Sequence, residues 1–272
     1  MAELHGLQAV WYHQDVNKSP QLKARAAIFA ALLGTMLATQ IAVAADRFDA
    51  AVAHPGRSAA DKERDVKDLP AQVLRLTKIA PGMRVIDMLG SAGYYSEILS
   101  YLVGSQGKIL LLNNPSFDSY DDGWKARLAG DRLPNVTHRV AVLDALGLEP
   151  AAFDAALMIK VYHDLYWTEL MNGPPVTDAK TVLNQIAQAL KPGGILLVVD
   201  HSAIAGSGAS AADGLHRIEQ AFAVHDIESH GFELVKTADF LKNSSDDRST
   251  ISYKPPALGK TDRFIAVFRK RR

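Results

Sequence analysis

An α/β fold, with a mostly parallel sheet covered by helices on both faces, is what this sequence predicts, and three observations carry the prediction. Strand-like and helix-like segments alternate from Arg84 onward, as they do where parallel strands are joined by crossover helices. The run Val85-Ile86-Asp87-Met88-Leu89-Gly90-Ser91-Ala92-Gly93-Tyr94-Tyr95-Ser96 reads as a buried strand, a glycine-bearing turn and a helix start, a combination that lets the backbone bend sharply and approach a nucleotide-like ligand. Twenty residues past Gly93, the apolar strand Ile109-Leu110-Leu111-Leu112 ends in Asn113, where such folds put a ribose-binding side chain.

Taken in order, Asp46 to Asp68 is a polar surface arm, broken by Pro55-Gly56, in which Ser58 caps a charged helix from Ala59 to Val66. Pro70 opens the next helix, whose Val73, Leu74, Leu76 and Ile79 form an apolar face before Pro81-Gly82 stops it. Strands are predicted at Arg84 to Met88, Lys108 to Leu112, Val136 to Val142 and Phe153 to Ile159, with helices at Tyr94 to Val103 and near Gly123 to Ala129. A helix from Asp178 to Leu190 carries Leu183, Ile186, Ala187 and Leu190 at helical spacing, and Lys191-Pro192-Gly193-Gly194 ends it before the strand Ile195 to Val199. One further helix, about Gly214 to Ser229, stops at Gly231, and strands Phe232 to Lys236 and Phe264 to Phe268 form a terminal hairpin. Its connection, Thr237 to Asp262, is too long for a simple turn; it reads either as a cover for the substrate side or as a solvated loop.

Nearly half of the 272 residues are hydrophobic, enough for one sizeable core but not for a second full domain. Thirty basic residues balance thirty acidic ones, so no global field draws the chain to nucleic acid; the basic end Arg269 to Arg272 reads as a solvated tail. Cysteine is absent, which excludes thiol nucleophiles and zinc-thiolate sites. Residues 1–45 read as an N-terminal extension and export signal: Lys18, Lys23 and Arg25 precede the apolar run Ala26 to Leu37, and Ala42-Val43-Ala44 supplies a small-residue cleavage pattern. Cleavage is expected after Ala44 or Ala45, giving an exported, periplasmic protein with no stable membrane span, and Met1 to Asn17 is unlike a signal n-region. The alternative, an uncleaved anchor, is weakened by Thr35, Thr39 and Gln40. The remainder, 46–272, is then one domain with an arm at 46–69 and an inserted loop at 237–262.

With Val85 to Gly93, Leu143-Asp144-Ala145, Phe153-Asp154-Ala155-Ala156 and Leu190-Lys191-Pro192-Gly193-Gly194, the chain resembles the class I S-adenosylmethionine-dependent methyltransferases from about Pro70 to its end. Tyr162-His163-Asp164-Leu165-Tyr166, Val199-Asp200-His201-Ser202-Ala203, Leu215-His216-Arg217-Ile218 and Lys260-Thr261-Asp262-Arg263-Phe264 are similar to a group of exported proteins predicted to be methyltransferases, of unassigned substrate. The resemblance implies a Rossmann-like, seven-stranded sheet with the last strand antiparallel, and S-adenosylmethionine at the carboxyl ends of the first strands. It implies that Asp87 and the loop Leu89, Gly90, Ser91 and Gly93 cradle the methionine part, that Asn113 faces the ribose and that Asp144 faces the adenine amino group. Two departures stand out: the family places glycines two, four and six residues after the acid, where this chain has Leu89, Ser91 and Gly93, and its second strand ends in an acid rather than Asn113. A neutral acceptor in place of a carboxylate forfeits on the order of 1 kcal/mol.

His163 and Asp164 follow the fourth strand, His201 the fifth, and His216 with Arg217 the loop or helix beyond, so a parallel sheet gathers them at one edge. The catalytic reading makes His163 or His201 the base for a small-molecule hydroxyl or amine, Asp164 its orienting partner and Arg217 an anchor for a substrate anion. The structural reading has the histidines satisfying strand-end backbone groups and Asp164 capping a short helix, Leu165 to Leu170. A third has His163, Asp164, His201 and His216 binding a divalent ion, but no tight ligand spacing marks one and no metal is predicted. The leading expectation is thus a methyltransferase acting on a small molecule; the alternatives are an exported nucleoside-type binding protein without turnover and a metal-assisted hydrolase or lyase on the same fold.

Overall fold

A computed structural model describes residues 47–167 and 178–272; the segment expected to be an export signal and the far end of the helix expected at Leu165 to Leu170 lie outside them. The seven strands form one sheet in the order β3-β2-β1-β4-β5-β7-β6. They are β1 Arg84–Met88, β2 Lys108–Asn113, β3 Val136–Val140, β4 Phe153–Ile159, β5 Leu190–His201, β6 Phe232–Ala238 and β7 Arg263–Lys270. Strands β1 to β5 pair in parallel, and β7 runs antiparallel between β5 and β6. Chain order reverses between β1 and β4, which lie side by side, so a crevice opens beyond their carboxyl ends.

Both faces of the sheet are buried, which explains why β1, β4 and β5 read as continuous apolar runs rather than alternating ones. Ile86, Met88, Ala156, Met158, Leu196 and Val198 pack on one face against helix α6, Ala179–Ala189, through Val182, Leu183 and Ile186. Val85, Leu157, Leu197 and Val199 pack on the other against helix α3, Tyr94–Val103, through Ile98, Leu99 and Leu102. Burying such side chains stabilises by about 1.5–3 kcal/mol each, so the two clusters carry the fold.

The arm contains helix α1, Ala59–Asp68, whose N-terminus is capped as expected: Ser58 Oγ accepts from the Asp61 N–H at 3.1 Å. Helix α2 is shorter than its apolar spacing implies, Pro70–Arg75, because Thr77 Oγ1 donates to the Leu74 carbonyl at 2.6 Å and closes the turn early. Helix α4, Pro115–Tyr120, had no periodic signal in the sequence; Asn114 caps it by accepting from the Phe117 N–H at 2.8 Å. Helix α5 is Trp124–Leu128. The helix expected from Gly214 to Ser229 is broken in two, α7 Ala211–Leu215 and α8 Gln220–Ser229. Between them His216 is left-handed (φ 50°), and Ile218 donates to the His201 carbonyl at 3.0 Å, bridging to the end of β5. The Lys191 to Gly194 turn does not precede β5 but forms its irregular entry, with the pairing to β4 shifting register between Phe153 and Ala155.

Candidate active site

Two cavities adjoin at the carboxyl edge of the sheet, sharing Phe117 and Lys160. The first, about 200 Å³, is walled by the β1–α3 loop from Asp87 to Ala92, by Arg64, Tyr94 and Tyr95, and by Asp121. The second, about 350 Å³, is a chamber walled by His163, Asp164, His201 and His216 with Tyr120, Trp167, Ser252 and Tyr253.

The loop after β1 has the backbone shape that glycines would give it, without glycines at two of the three places. Leu89 and Ser91 sit in the left-handed region at φ 52° and 53°, as does Gly93 at 78°; each non-glycine there costs about 1–2 kcal/mol that the surroundings must offset. Main chain and side chain supply that offset. The Leu89 N–H donates to the Leu112 carbonyl at 2.7 Å, and Arg127 Nε donates to the Ala92 carbonyl at 2.6 Å. The leucine is buried among the core residues of one sheet face, so its bulk does not fill the first cavity. Gly90 is required for another reason: a Cβ there would lie 2.6 Å from Asp87 Oδ2 and from Leu111 Cδ1.

Asp87 is buried at the end of β1 and accepts from Ser96 Oγ at 2.7 Å. Burial pushes its carboxyl up to about 6, against the Ser96 hydrogen bonds and the more distant Arg64 and Arg127, which pull it down. Asn113 lines neither cavity. Its Oδ1 accepts from the Ser91 N–H at 2.9 Å and its Nδ2 donates to the Ser91 carbonyl at 3.1 Å, so both amide atoms brace the loop instead of facing outward. Asp144 is exposed and also lines neither. The carboxylate that does line the first cavity near Ser91 is Asp121, 3.4 Å from Ser91 Oγ, which the sequence pattern did not single out because it sits after a six-residue helix with no apolar period.

In the chamber, the structure brings His163, Asp164, His201 and His216 together, as the topology implied. His163 Nδ1 lies 2.8 Å from Asp200 Oδ1, and its backbone N–H donates to Asp200 Oδ2 at 2.8 Å. On the other side of the ring, Nε2 is 3.3 Å from Asp164 Oδ1. Burial opposes charge on this imidazole, yet the Asp200 and Asp164 carboxylates outweigh it and raise its pKa to about 9. The partner works the other way: burial would raise Asp200, but the His163 ring and N–H hold it below the usual carboxylate range. His201, half-buried with its Nδ1 2.7 Å from Thr261 Oγ1, is pushed down to about 3 by desolvation despite Asp200. Neither ring titrates near neutrality: His163 is held charged and His201 neutral. The orienting carboxylate of His163 is therefore Asp200, buried one residue before His201; its place at the end of an uninterrupted apolar strand was the signal for it.

Arg217 lies elsewhere. Fully buried, it pairs with Asp246 at 2.8 and 3.1 Å and donates to the carbonyls of Ser202 and Thr250. The anion-anchor role expected for it has no support in this geometry, since it lines neither cavity. What it does is fasten the Thr237 to Asp262 connection to the end of β5, and that connection contributes Ser252 and Tyr253 to the chamber wall. Lys160, on both cavities, reaches Asp68 at 3.1 Å, and Arg263 holds the same carboxylate at 2.6 Å. Arg64 reaches Asp68 at 2.7 Å and stacks 3.8 Å above the Tyr94 ring. The arm thus forms part of the cavity wall.

Strand order, the antiparallel β7 and the position of the crevice are those of the class I S-adenosylmethionine-dependent methyltransferase fold. No protein-family model matches the chain. A ubiquinone/menaquinone biosynthesis C-methyltransferase from Shewanella oneidensis is 32% identical over 124 residues, a match that spans 45% of this chain and 44% of that protein. Among solved structures, a SAM-dependent methyltransferase from Aquifex aeolicus superposes with a TM-score of 0.52 at 18% identity, covering 77% of this chain and 98% of that one. The [4+2]-cyclase SpnF superposes with a TM-score of 0.55 at 18% identity, covering 80% and 86%. At such identities the likeness shows the fold, and a shared fold hosts many reactions.

Proposed function

We propose that this protein transfers a methyl group from S-adenosylmethionine to a small, largely apolar acceptor. The observation that carries the reading is the pair of adjoining cavities: one walled by a main-chain loop at the β1–β4 switch point, the other by histidines and aromatic rings. Together they fall within the roughly 300–1,000 Å³ of small-molecule sites. The partial likeness to a quinone-pathway C-methyltransferase supports the same class of reaction.

The residues present fit the cofactor. Gly90 leaves room for the Asp87 carboxylate, Asp87 offers a buried negative charge for an ammonium group, and the Leu89 to Gly93 backbone holds the methionine part. Asp121 offers a carboxylate for ribose hydroxyls in place of Asn113, which braces the loop. When bound, S-adenosylmethionine supplies a methyl group already activated by its sulfonium. The chain's own task is then alignment, which can contribute several kcal/mol of the barrier reduction. Phe117, Tyr120, Trp167 and Tyr253 offer flat apolar surface to the acceptor, and neutral His201 can accept a hydrogen bond from its hydroxyl or amine. Proton abstraction by His163 is not part of this reading, because its ring is already charged at neutral pH.

Calorimetry with S-adenosylmethionine and S-adenosylhomocysteine tests the reading: binding in the micromolar range is expected, and none at millimolar ligand would overturn it. Asp87→Ala and Gly93→Val should abolish binding, the latter because a side chain at φ 78° is strained and its Cβ meets Leu111 at 3.0 Å. The reading keeps residues 1–45 as an export segment removed from a periplasmic product, which N-terminal sequencing of the native protein checks.

A further inference from the structure

The chamber contains a side-chain arrangement that methyl transfer from a sulfonium does not require. Nitrogen and oxygen atoms of His163, Asp164 and His216 all lie within 4.8 Å of one another. Asp164 Oδ1 is 3.3 Å from His163 Nε2 and 3.6 Å from His216 Nδ1. Those separations are long for good hydrogen bonds. The first falls within, and the second a little beyond, the spacing of two ligands on one ion, since metal bonds of about 2.1 Å at tetrahedral or octahedral angles put neighbouring ligand atoms roughly 3.0–3.4 Å apart; a small turn of the His216 ring closes the triad.

Two independent features prepare the cluster. Asp200, buried, lies 2.8 Å from His163 Nδ1 and fixes the ring with Nε2 toward Asp164. A carboxylate behind a histidine in this way is what orients metal-bound imidazoles. His216, meanwhile, is set in the left-handed region at φ 50°, a conformation costly for a side chain of its size, and it interrupts what would otherwise be one helix. Its ring is held edge-on by Trp167 and Tyr253, with centroids 4.7 and 4.8 Å away. All three residues line the chamber, so further coordination positions face the space assigned to the acceptor.

We propose that His163 Nε2, Asp164 Oδ1 and His216 Nδ1 bind one divalent first-row transition ion, with open positions facing the chamber for an oxygen of the acceptor or for water. Two imidazoles and one carboxylate suit Zn²⁺, Fe²⁺, Co²⁺ or Mn²⁺ and not Mg²⁺ or Ca²⁺, which take oxygen ligands. Binding displaces the proton from His163 Nε2, as ligation by an imidazole requires, and the ion would fix an acceptor oxygen in the chamber, adding geometric selection for oxygen-bearing acceptors to an otherwise apolar site. The assignment rests on the triad alone and not on the cofactor cavity.

The test uses the full chain, freed of metal with a chelator and titrated with Co²⁺ and Zn²⁺ by calorimetry, with the Co²⁺ visible spectrum as a second readout. One ion per chain is expected, with absorption bands of a nitrogen- and oxygen-ligated Co²⁺. Asp164→Asn and His216→Ala should each weaken binding at least tenfold with the thermal transition retained, Asp200→Asn should weaken it about 10–100-fold through the His163 ring, and Mg²⁺ should not compete. No binding of Co²⁺ or Zn²⁺ at millimolar concentration by folded protein would overturn the proposal, as would binding that all three variants leave unchanged. S-adenosylhomocysteine titrated into the same samples separates the two readings: intact cofactor binding without metal binding removes the ion only, and the reverse removes the methyltransferase.

Discussion

Around the first cavity the walls are mainly backbone, held in an improbable conformation; around the second they are side chains, held by charge. The β1–α3 loop keeps three left-handed residues in place with main-chain hydrogen bonds, the Asn113 amide and Arg127. In the chamber, Asp200, His163 and Asp164 arrange themselves by ionic contacts, and Arg217 and Asp246 fasten the wall that carries Ser252 and Tyr253. The difference teaches where each should fail. A substitution that adds bulk or removes main-chain freedom should damage the first and spare the second; one that removes a charge from the chamber's network, Asp87 lying outside it, should do the opposite.

The largest effect is expected at Arg217. Replacing it with methionine leaves the Asp246 carboxylate, itself nearly buried, without its partner, and breaking such a pair typically costs 3–5 kcal/mol. Chemical denaturation should report a loss of that size. If enough fold remains, S-adenosylhomocysteine affinity should stay within a few-fold of the parent, since Arg217 lies outside the first cavity. An equal loss of both would show that the two regions are not built separately.

Next comes Gly90→Val, whose Cβ would sit 2.6 Å from Asp87 Oδ2 and Leu111 Cδ1. Overpacking of this kind costs about 1–3 kcal/mol, and it displaces the carboxylate that the cofactor needs, so at least a hundredfold loss of S-adenosylhomocysteine affinity is expected. Retained affinity would mean that Asp87 is not a ligand contact.

Asp87 also gives the comparison a pH signature. Its pKa is raised to about 6 by burial. Only the ionised form attracts an ammonium group, so affinity should hold above that pH and fall as pH drops through it, by up to tenfold per unit, or about 1.4 kcal/mol. Calorimetry between pH 5 and 8 measures this; Asp87→Asn should bind weakly with a flat profile.

Much of this was legible in the sequence. Apolar runs buried on both faces announced β1, β4 and β5, and the terminal hairpin followed from Phe232 and Phe264 with a long connection between. The convergence of His163, Asp164, His201 and His216 was readable because topology alone brings strand ends to one edge. Legibility ended where tertiary contacts outweighed local pattern. Nothing in the spacing of Gly214 to Ser229 shows that Ile218 bridges to Ser202 and breaks the helix. Asn113 occupied the expected place but is turned back onto Ser91, and Arg217 is turned into the core toward Asp246. A side chain's position is set by the fold, whereas the direction it points depends on which partner it finds.

The smallest expected effect bears on the loop's substituted glycines. Ser91 holds φ 53°, and glycine at that place removes the steric cost while losing only a 3.4 Å contact from the hydroxyl to Asp121. Glycine also gains freedom in the unfolded chain, which offsets part of the gain. A net stabilisation of about 0.5 kcal/mol is therefore expected from denaturation of Ser91→Gly, with S-adenosylhomocysteine affinity unchanged or slightly higher. Leu89→Gly should behave oppositely, because its side chain is buried in the core and its removal leaves a cavity costing about 2–5 kcal/mol. The pair separates two uses of one backbone shape: at Ser91 the conformation serves the loop and the side chain is nearly dispensable, while at Leu89 it seats a side chain in the core. If Ser91→Gly instead lost affinity, the serine hydroxyl and its link to Asp121 would be part of the binding surface, and the first cavity would depend on side chains as much as the second.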